Sequence, residues 1–122
     1  TKGYLVLGAV IVLEQGDQEA IKARMKELTE QRVSKQPLEF PSAGSTFKRP
    51  EGYFAGKLIM DAGLRGYTVG GAQVSEKHCG FLINKGGATA ADIRQLMQDV
   101  AEKVYEQYGV RLEPEVKMTG EF

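Results

Sequence analysis

The sequence predicts an α+β fold in which a small sheet is packed by two longer helices and carries long, glycine-rich functional loops. Two segments show the apolar spacing of helices, whereas other apolar runs are short and typical of strands. Most of the fifteen glycines lie between residues 31 and 86. At 122 residues the chain fits one domain with one modest core. These three observations favour two helices and a sheet whose connections are long loops.

The first third of the chain predicts a strand followed by a helix. Residues 4–13 are almost continuously apolar and rich in branched side chains, which is typical of a strand covered on both faces. Asp17 is a candidate N-cap, and the helix is expected to end near residues 32–34, ahead of Pro37. Its apolar positions follow the spacing i, i+4, i+7: Ile21, Met25 and Leu28.

The middle of the chain predicts one short helix between two irregular segments. Residues 35–50 contain three prolines and show no period, so we expect an ordered, functional loop there. A short helix is expected over residues 54–62, closed by Gly63. Residues 64–77 are again irregular, with Gly-Gly at positions 70 and 71 interpreted as a tight turn.

The last third predicts a strand, a long helix and an edge strand. Residues 80–84 form a short apolar run, and Thr89 with Asp92 resembles a capping box that starts a helix. Gly109 is expected to end that helix. Residues 112–119 alternate as a strand does, but Pro114 limits them to a sheet edge or a strand start.

Charge and cysteine content restrict the possible partners. The formal net charge is zero, which argues against bulk attraction to nucleic acid or to a membrane surface. Residues 31–86 nevertheless carry an excess of basic groups, which fits either an anionic small-molecule ligand or a solvated loop surface. No apolar run is long enough to span a bilayer. The single Cys79 excludes an internal disulfide and suits a reducing compartment.

Individual polar residues leave several roles open. Ser45 follows a glycine and could be a phosphate contact, a proton donor or a turn serine; a hydrolase nucleophile is disfavoured because Phe47 replaces the required glycine. Lys48 and Arg49 could bind phosphate or simply be solvated. His78 could be a ligand or an acid–base group, but without a second histidine we expect no metal site.

Three longer sequence motifs are distinctive when they occur together. They are Pro-Ser-Ala-Gly-Ser-Thr-Phe-Lys-Arg-Pro over residues 41–50, the stretch from Ala-Gly-Leu-Arg-Gly to Phe-Leu-Ile-Asn over residues 62–84, and Leu-Glu-Pro-Glu-Val-Lys-Met-Thr-Gly over residues 112–120. With these three motifs in this order, the chain resembles the C-terminal region of UDP-N-acetylenolpyruvoylglucosamine reductases. The sequences of the motifs are most similar to the shorter, second type of that family.

The resemblance implies a catalytic assignment. In the family, NADPH reduces a bound FAD, the reduced flavin passes hydride to C3 of an enolpyruvyl ether, and a serine protonates C2. That serine corresponds to Ser45 here. The family glutamate that holds and polarises the substrate carboxylate corresponds to Glu115 rather than Glu113. The product would be UDP-N-acetylmuramate, which is used in peptidoglycan synthesis.

The resemblance also implies substrate contacts and missing parts. Candidate binding residues are Lys35, Lys48, Arg49, His78 and Asn84, with Arg49 standing where many relatives carry asparagine. FAD would be bound by N-terminal domains absent from this chain, so no cofactor-binding residue is expected here. Residues 1–15 would be a strand leading in from that region, and residues 16–122 the substrate-binding domain. The alternative is a non-catalytic module that binds a nucleotide-sugar.

Overall fold

The computed structural model describes residues 3–121 and divides between Gln31 and Arg32 into two compact units. Within the first unit, residues 4–13 have neither helix nor strand, and their large apolar side chains are exposed, Leu7 at 91% and Val10 at 97%. The predicted strand is therefore not observed. A strand needs a neighbour for its backbone hydrogen bonds, and the described part of this unit contains no other strand. That the segment leads in from a flavin-binding region stays a prediction.

Helix α1 (Gln18–Lys35) confirms the predicted helix and its cap. The Asp17 Oδ1 accepts hydrogen bonds from the amides of Glu19, at 2.8 Å, and Ala20, at 3.2 Å, which satisfies donors that the first turn leaves unpaired. None of the helix's residues is buried. The apolar stripe predicted on it is thus about half exposed.

The second unit is built on a four-stranded antiparallel sheet. Its strands are β1 (Ser42–Ser45), β2 (Thr68–Val69), β3 (Ala72–Val74) and β4 (Phe81–Asn84), in the order β1-β4-β3-β2. Strand β4 confirms the predicted apolar strand. Strands β1, β2 and β3 lie in the two segments for which only irregular structure was predicted, because runs of two to four residues are too short to show a period.

Helix α3 (Ala90–Tyr108) packs against β2, β3 and β4, and it begins and ends where the sequence predicts. The Thr89 hydroxyl accepts from the Asp92 amide while the Asp92 carboxylate accepts from the Thr89 amide, forming a complete capping box. Gly109 ends the helix with a φ of 67°. The short helix α2 (Ala55–Asp61) confirms the predicted one and contacts α3.

The core lies between α3, α2 and one face of the sheet. Its fully buried side chains include Ile59, Val74, Leu96, Val100 and Val104. The segment after α3 does not form the predicted final strand: it makes one isolated bridge, between Pro114 and Phe47. Pro114 occupies a non-hydrogen-bonded position of this bridge, where its missing amide hydrogen costs no bond, and the amides of Lys48 and Glu115 make the flanking bonds. The pairing extends no further, so a regular strand does not form.

Candidate functional site

A bulge at the edge of the sheet sets the position of Ser45. On β1 the pairing advances from Ser42 to Ser45 while β4 advances only from Ile83 to Phe81, so β1 contains one extra residue. Gly44 lies in this interval with a φ of 83°, a conformation that glycine adopts without strain. Bulges redirect side chains. Ser45 is exposed, and within the described residues its hydroxyl has no hydrogen-bond partner.

The segment beyond the bulge brings a distant carboxylate alongside. The amide of Lys48 donates to the carbonyl oxygen of Glu113 at 2.8 Å, and the amide of Glu115 donates to the carbonyl oxygen of Thr46 at 2.8 Å. Glu115 is thereby held across from the residue that follows Ser45. Its own side chain is exposed and has no protein partner within residues 3–121.

Ser45 and Glu115 line the same open cavity, of about 500 Å³. The cavity lies among β1, the loop before β4 and helix α2. Arg49 and His78, two of the candidate binding residues, also line it. The structure therefore brings together four of the seven residues singled out from the sequence.

The cavity wall is strongly cationic. Its charged lining consists of one carboxylate, that of Glu115, and four cations: Arg49, Lys57, Arg65 and Lys77. The last three received no role from the sequence, and their only signal was the basic excess of residues 31–86. Such an excess of fixed positive charge favours an anionic ligand.

Each of three cavity cations is anchored by a neighbour. The Arg49 guanidinium stacks 4.1 Å from the ring centroid of Phe54, an aromatic that is 60% exposed. The Lys77 ammonium donates to the carbonyl oxygen of Val33, in the last turn of α1, at 2.7 Å. A hydrogen bond to Asp61 raises the pKa of Lys57, so this ammonium keeps its charge at neutral pH.

Cys79 is a buried thiol in the cavity wall. It is 5% exposed, and burial raises its pKa above the ordinary value, an effect that the nearby Arg65 guanidinium only partly offsets. The neutral thiol is a poor nucleophile. Cys79 packs with the core at the wall of the cavity, and we expect it to react slowly.

Three candidate binding residues do not line this cavity. Lys35 is the exposed last residue of α1, and Lys48 forms an exposed ion pair with Glu113. Asn84 holds the turn after β4, where its Oδ1 accepts from the amides of Gly86 and Ala88 at 3.0 and 3.1 Å. A role for these three in ligand binding stays a prediction.

Residues 3–121 contain neither a candidate metal cluster nor a candidate membrane-spanning helix. No group of three or more His, Cys, Asp or Glu side chains is arranged to hold a metal ion within residues 3–121. No helix in the same range combines the length and apolar character needed to cross a membrane.

The fold and the cavity define a class: an α+β domain with an open, cationic cavity that contains an unpaired serine and a carboxylate. Residues 36–119 match the family described as the C-terminal domain of UDP-N-acetylenolpyruvoylglucosamine reductase, and the chain belongs to that family. This finding confirms the resemblance found in the sequence.

Individual relatives agree with this membership. The chain is 69% identical over 121 residues to the UDP-N-acetylenolpyruvoylglucosamine reductase of Agathobacter rectalis, covering 99% of this chain and 38% of the relative. The protein of the same name from Lachnoclostridium phytofermentans is 66% identical, with 98% and 39% covered. The crystal structure of UDP-N-acetylenolpyruvylglucosamine reductase from Thermus caldophilus matches with a TM-score of 0.68 and 38% identity, over 84% of this chain and 36% of that one. The chain thus spans about two fifths of its relatives' length.

Proposed function

We propose that this chain is the substrate-binding domain of a bacterial, cytoplasmic reductase that uses FAD and NADPH to convert UDP-N-acetylglucosamine enolpyruvate to UDP-N-acetylmuramate for peptidoglycan synthesis. Membership of the family supports this, as does the name of its relatives. Gly70 and Gly71 form a hairpin turn, and the glycine pair before helix α3, Gly86-Gly87, lacks the Gly-x-Gly-x-x-Gly spacing of a dinucleotide-binding loop. We assign the flavin to the upstream region that the longer relatives contain.

The observation that carries the proposal is the placement of Ser45. Its hydroxyl is exposed at a bulge, lies in a cavity with Glu115, and has no hydrogen-bond partner in the described chain. A structural serine normally caps a turn or bonds a neighbouring backbone group, as Ser42 does by accepting from the amide of Gly44. An unpartnered hydroxyl inside a cationic cavity is available to a ligand.

The chemistry assigned to Ser45 is protonation. Bound flavin would supply a hydride, obtained from NADPH, to C3 of the enolpyruvyl group. The double bond between C2 and C3 then opens, and its electron pair resides at C2 as an enolate of the carboxylate. Ser45 gives its hydroxyl proton to C2 and regains one from water, so the substrate gains one hydride and one proton. A serine hydroxyl is a weak acid, and it serves here only if held close to a strongly basic carbon.

The remaining cavity residues bind and orient the substrate. The cations Arg49, Lys57, Arg65 and Lys77 are assigned to the diphosphate, whose negative charge they would offset. Glu115 is assigned to hold and polarise the substrate carboxylate, because it lies beside the serine on the segment paired with residues 46–48. This arrangement would place C2 at the Ser45 end of the cavity.

The test is turnover by the full-length protein, in which this chain is joined to its upstream region. The purified protein should contain FAD and should oxidise NADPH only when UDP-N-acetylglucosamine enolpyruvate is present. Mass spectrometry should show a product heavier than the substrate by two hydrogens. A full-length protein that binds the UDP-sugar without any NADPH oxidation would contradict the proposal and would favour the non-catalytic nucleotide-sugar-binding module.

A further inference from the structure

The backbone at His78 is fixed on its N-terminal side by a buried serine and on its C-terminal side by the amide of Phe81. Ser75 is 1% exposed, and its Oγ accepts hydrogen bonds from the amides of Lys77 and His78, both at 3.2 Å. The carbonyl oxygen of His78 accepts from the amide of Phe81 at 2.9 Å. The loop between β3 and β4 is thus closed on itself, and His78 leaves it at a defined point on the cavity wall.

The imidazole ring is fixed as well. The amide of Gly80 donates to the His78 Nδ1 at 3.0 Å. An imidazole nitrogen that accepts a hydrogen bond carries no proton, so in the neutral ring the hydrogen is assigned to Nε2. The ring of Phe81 meets the imidazole edge-on, with the centroids 4.9 Å apart and the planes at 72°.

The third contact is with helix α2, and it depends on a glycine. A Cβ added to Gly56 would lie 3.1 Å from the amide nitrogen of Gly80 and 3.3 Å from Cε1 of His78. Gly56 has an ordinary helical conformation, so backbone freedom does not explain a glycine there. Alanine is also a better helix former than glycine. The absence of a side chain lets the helix approach both the imidazole and the amide that fixes its tautomer.

We propose that Gly56 and the Gly80 amide are positioning elements that hold His78 in one tautomer, as a rigid Nε2–H donor to an anionic oxygen of the ligand. Gly80 covers Nδ1 of the imidazole, and Gly56 covers Cε1. No described residue forms a hydrogen bond with Nε2, so the Nε2 edge of the ring is available to a ligand in the cavity. His78 therefore acts as a fixed hydrogen-bond donor and not as the acid that competes with Ser45. The identity of the ligand rests on the proposed function, whereas the assignment of the tautomer is independent of it.

The tautomer is measured on the full-length protein, labelled with ¹⁵N-histidine, with His78→Gln used to assign the His78 signals. We expect one nitrogen with the shift of a protonated site and directly bonded hydrogen, and one unprotonated nitrogen that responds to Gly56→Ala. A hydrogen on Nδ1, or rapid averaging between the two tautomers, would overturn the proposal. This readout does not depend on turnover, so it decides the tautomer even if the protein fails to reduce the UDP-sugar, a failure that would instead refute the proposed function.

Steady-state kinetics test the donor role. A glutamine side chain can place an N–H donor at a similar distance from the backbone as the imidazole Nε2. A phenylalanine side chain retains an aromatic ring but has no N–H donor. His78→Gln should therefore hold the KM for the UDP-sugar within about 3-fold, and His78→Phe should raise it about 10-fold or more, with kcat less affected in both. Gly56→Ala should raise KM several-fold while the melting temperature holds or rises, which separates displacement of the imidazole from unfolding. Equal effects of glutamine and phenylalanine, or a Gly56→Ala enzyme with unchanged KM and imidazole spectrum, would contradict the proposal.

Discussion

The amide of Glu115 donates to the carbonyl oxygen of Thr46 at 2.8 Å, and this bond joins two segments that are 69 residues apart in the chain. Because Thr46 directly follows Ser45, the bond places the candidate proton donor and the candidate carboxylate at one cavity. Thr46 is 3% exposed and is anchored in turn to β4, since its Oγ1 accepts from the amide of Leu82 at 3.2 Å, and its own amide donates to the carbonyl oxygen of Gly80, next to the strand, at 2.9 Å. The hydrogen bond between Glu115 and Thr46 is thus connected to the sheet of the domain.

Glu115 and Glu113 are predicted to differ in their effect on activity. In the full-length protein, Glu115→Gln should slow flavin reoxidation by the UDP-sugar about 10²-fold, because Glu115 lies in the cavity. Its melting temperature should stay close to that of the wild type, since the side chain is exposed and unpaired among residues 3–121. Glu113→Gln is the matched control: it breaks only an exposed ion pair with Lys48, worth about 0–1 kcal/mol, and should leave reoxidation unchanged. Equal losses in the two variants would contradict the assignment.

Gly71 is predicted to be irreplaceable for steric reasons. A Cβ there would lie 2.2 Å from the carbonyl oxygen of Gly86 and 2.4 Å from the amide nitrogen of Ala88, both backbone atoms. Gly71→Ala should lower the free energy of unfolding, measured with urea, by about 3 kcal/mol. Gly87→Ala is the control: its Cβ would meet nothing within 4 Å, and only its φ of 65° opposes alanine, at about 1–2 kcal/mol. A smaller loss at Gly71 than at Gly87 would show that the turn can relax.

The capping box predicts a specific acid dependence. Hydrogen bonds from the backbone and side chain of Thr89 lower the pKa of Asp92, with partial burial opposing and the Gly71 amide adding to the effect. A carboxyl group whose pKa is lower in the folded state stabilises the protein above its unfolded-state pKa, and loses that contribution as pH falls through the folded value. The difference in urea midpoint between wild type and Asp92→Asn should therefore be largest at pH 6 and shrink as pH falls below about 4. A difference that is constant from pH 6 to 3 would contradict this account.

Cys79 is predicted to react slowly with electrophiles in the folded chain. As the only cysteine in the 122 residues, it can be followed by intact mass after treatment with iodoacetamide. Burial raises its pKa, so the rate at pH 7 should be far below that of the urea-unfolded chain, and it should climb as pH rises past the ordinary thiol range. Arg65→Gln should slow the reaction further, because it removes the charge that partly offsets burial. Faster alkylation in that variant would mean that Arg65 acts mainly by shielding the thiol.

The helices and β4 were predictable because their signals are local. Caps at Asp17 and Thr89, a stop at Gly109 and apolar periodicity each act within a few residues of the element they define. The hairpin of β2 and β3 was missed although Val69 and Ala72 pair directly across Gly70-Gly71, which is a recognised two-residue hairpin signal. The strand predicted over residues 112–119 was wrong because the segment pairs with residues 46–48 only around Pro114, in one isolated bridge.

The site was less accessible from the sequence than the fold. Ser45 and Glu115 were identified by resemblance, and no local pattern could place two residues so far apart in one cavity. The sequence indicated Arg65 and Lys77 only as part of an excess of basic residues. Their place in the cavity wall depends on how α2 and the loop before β4 fold. Asn84 is a candidate substrate-binding residue by resemblance, and that role stays a prediction; the hydrogen bonds of its Oδ1 to the turn that follows became visible only in the fold.

The central claim is that Ser45 protonates C2, and stopped-flow spectroscopy of flavin absorbance in the full-length protein tests it most directly. In Ser45→Ala, reduction of the flavin by NADPH should proceed at the wild-type rate, while reoxidation by UDP-N-acetylglucosamine enolpyruvate should fall at least 10²–10⁴-fold, roughly the worth of one positioned proton donor. Ser42→Ala is a change on the same strand at a serine outside the cavity, and it removes only a long hydrogen bond, of 3.4 Å, from the amide of Gly44; both half-reactions should stay within a few-fold of wild type. If reoxidation in Ser45→Ala stays within a few-fold of wild type, the proton comes from another group, and the assignment of Ser45 is wrong.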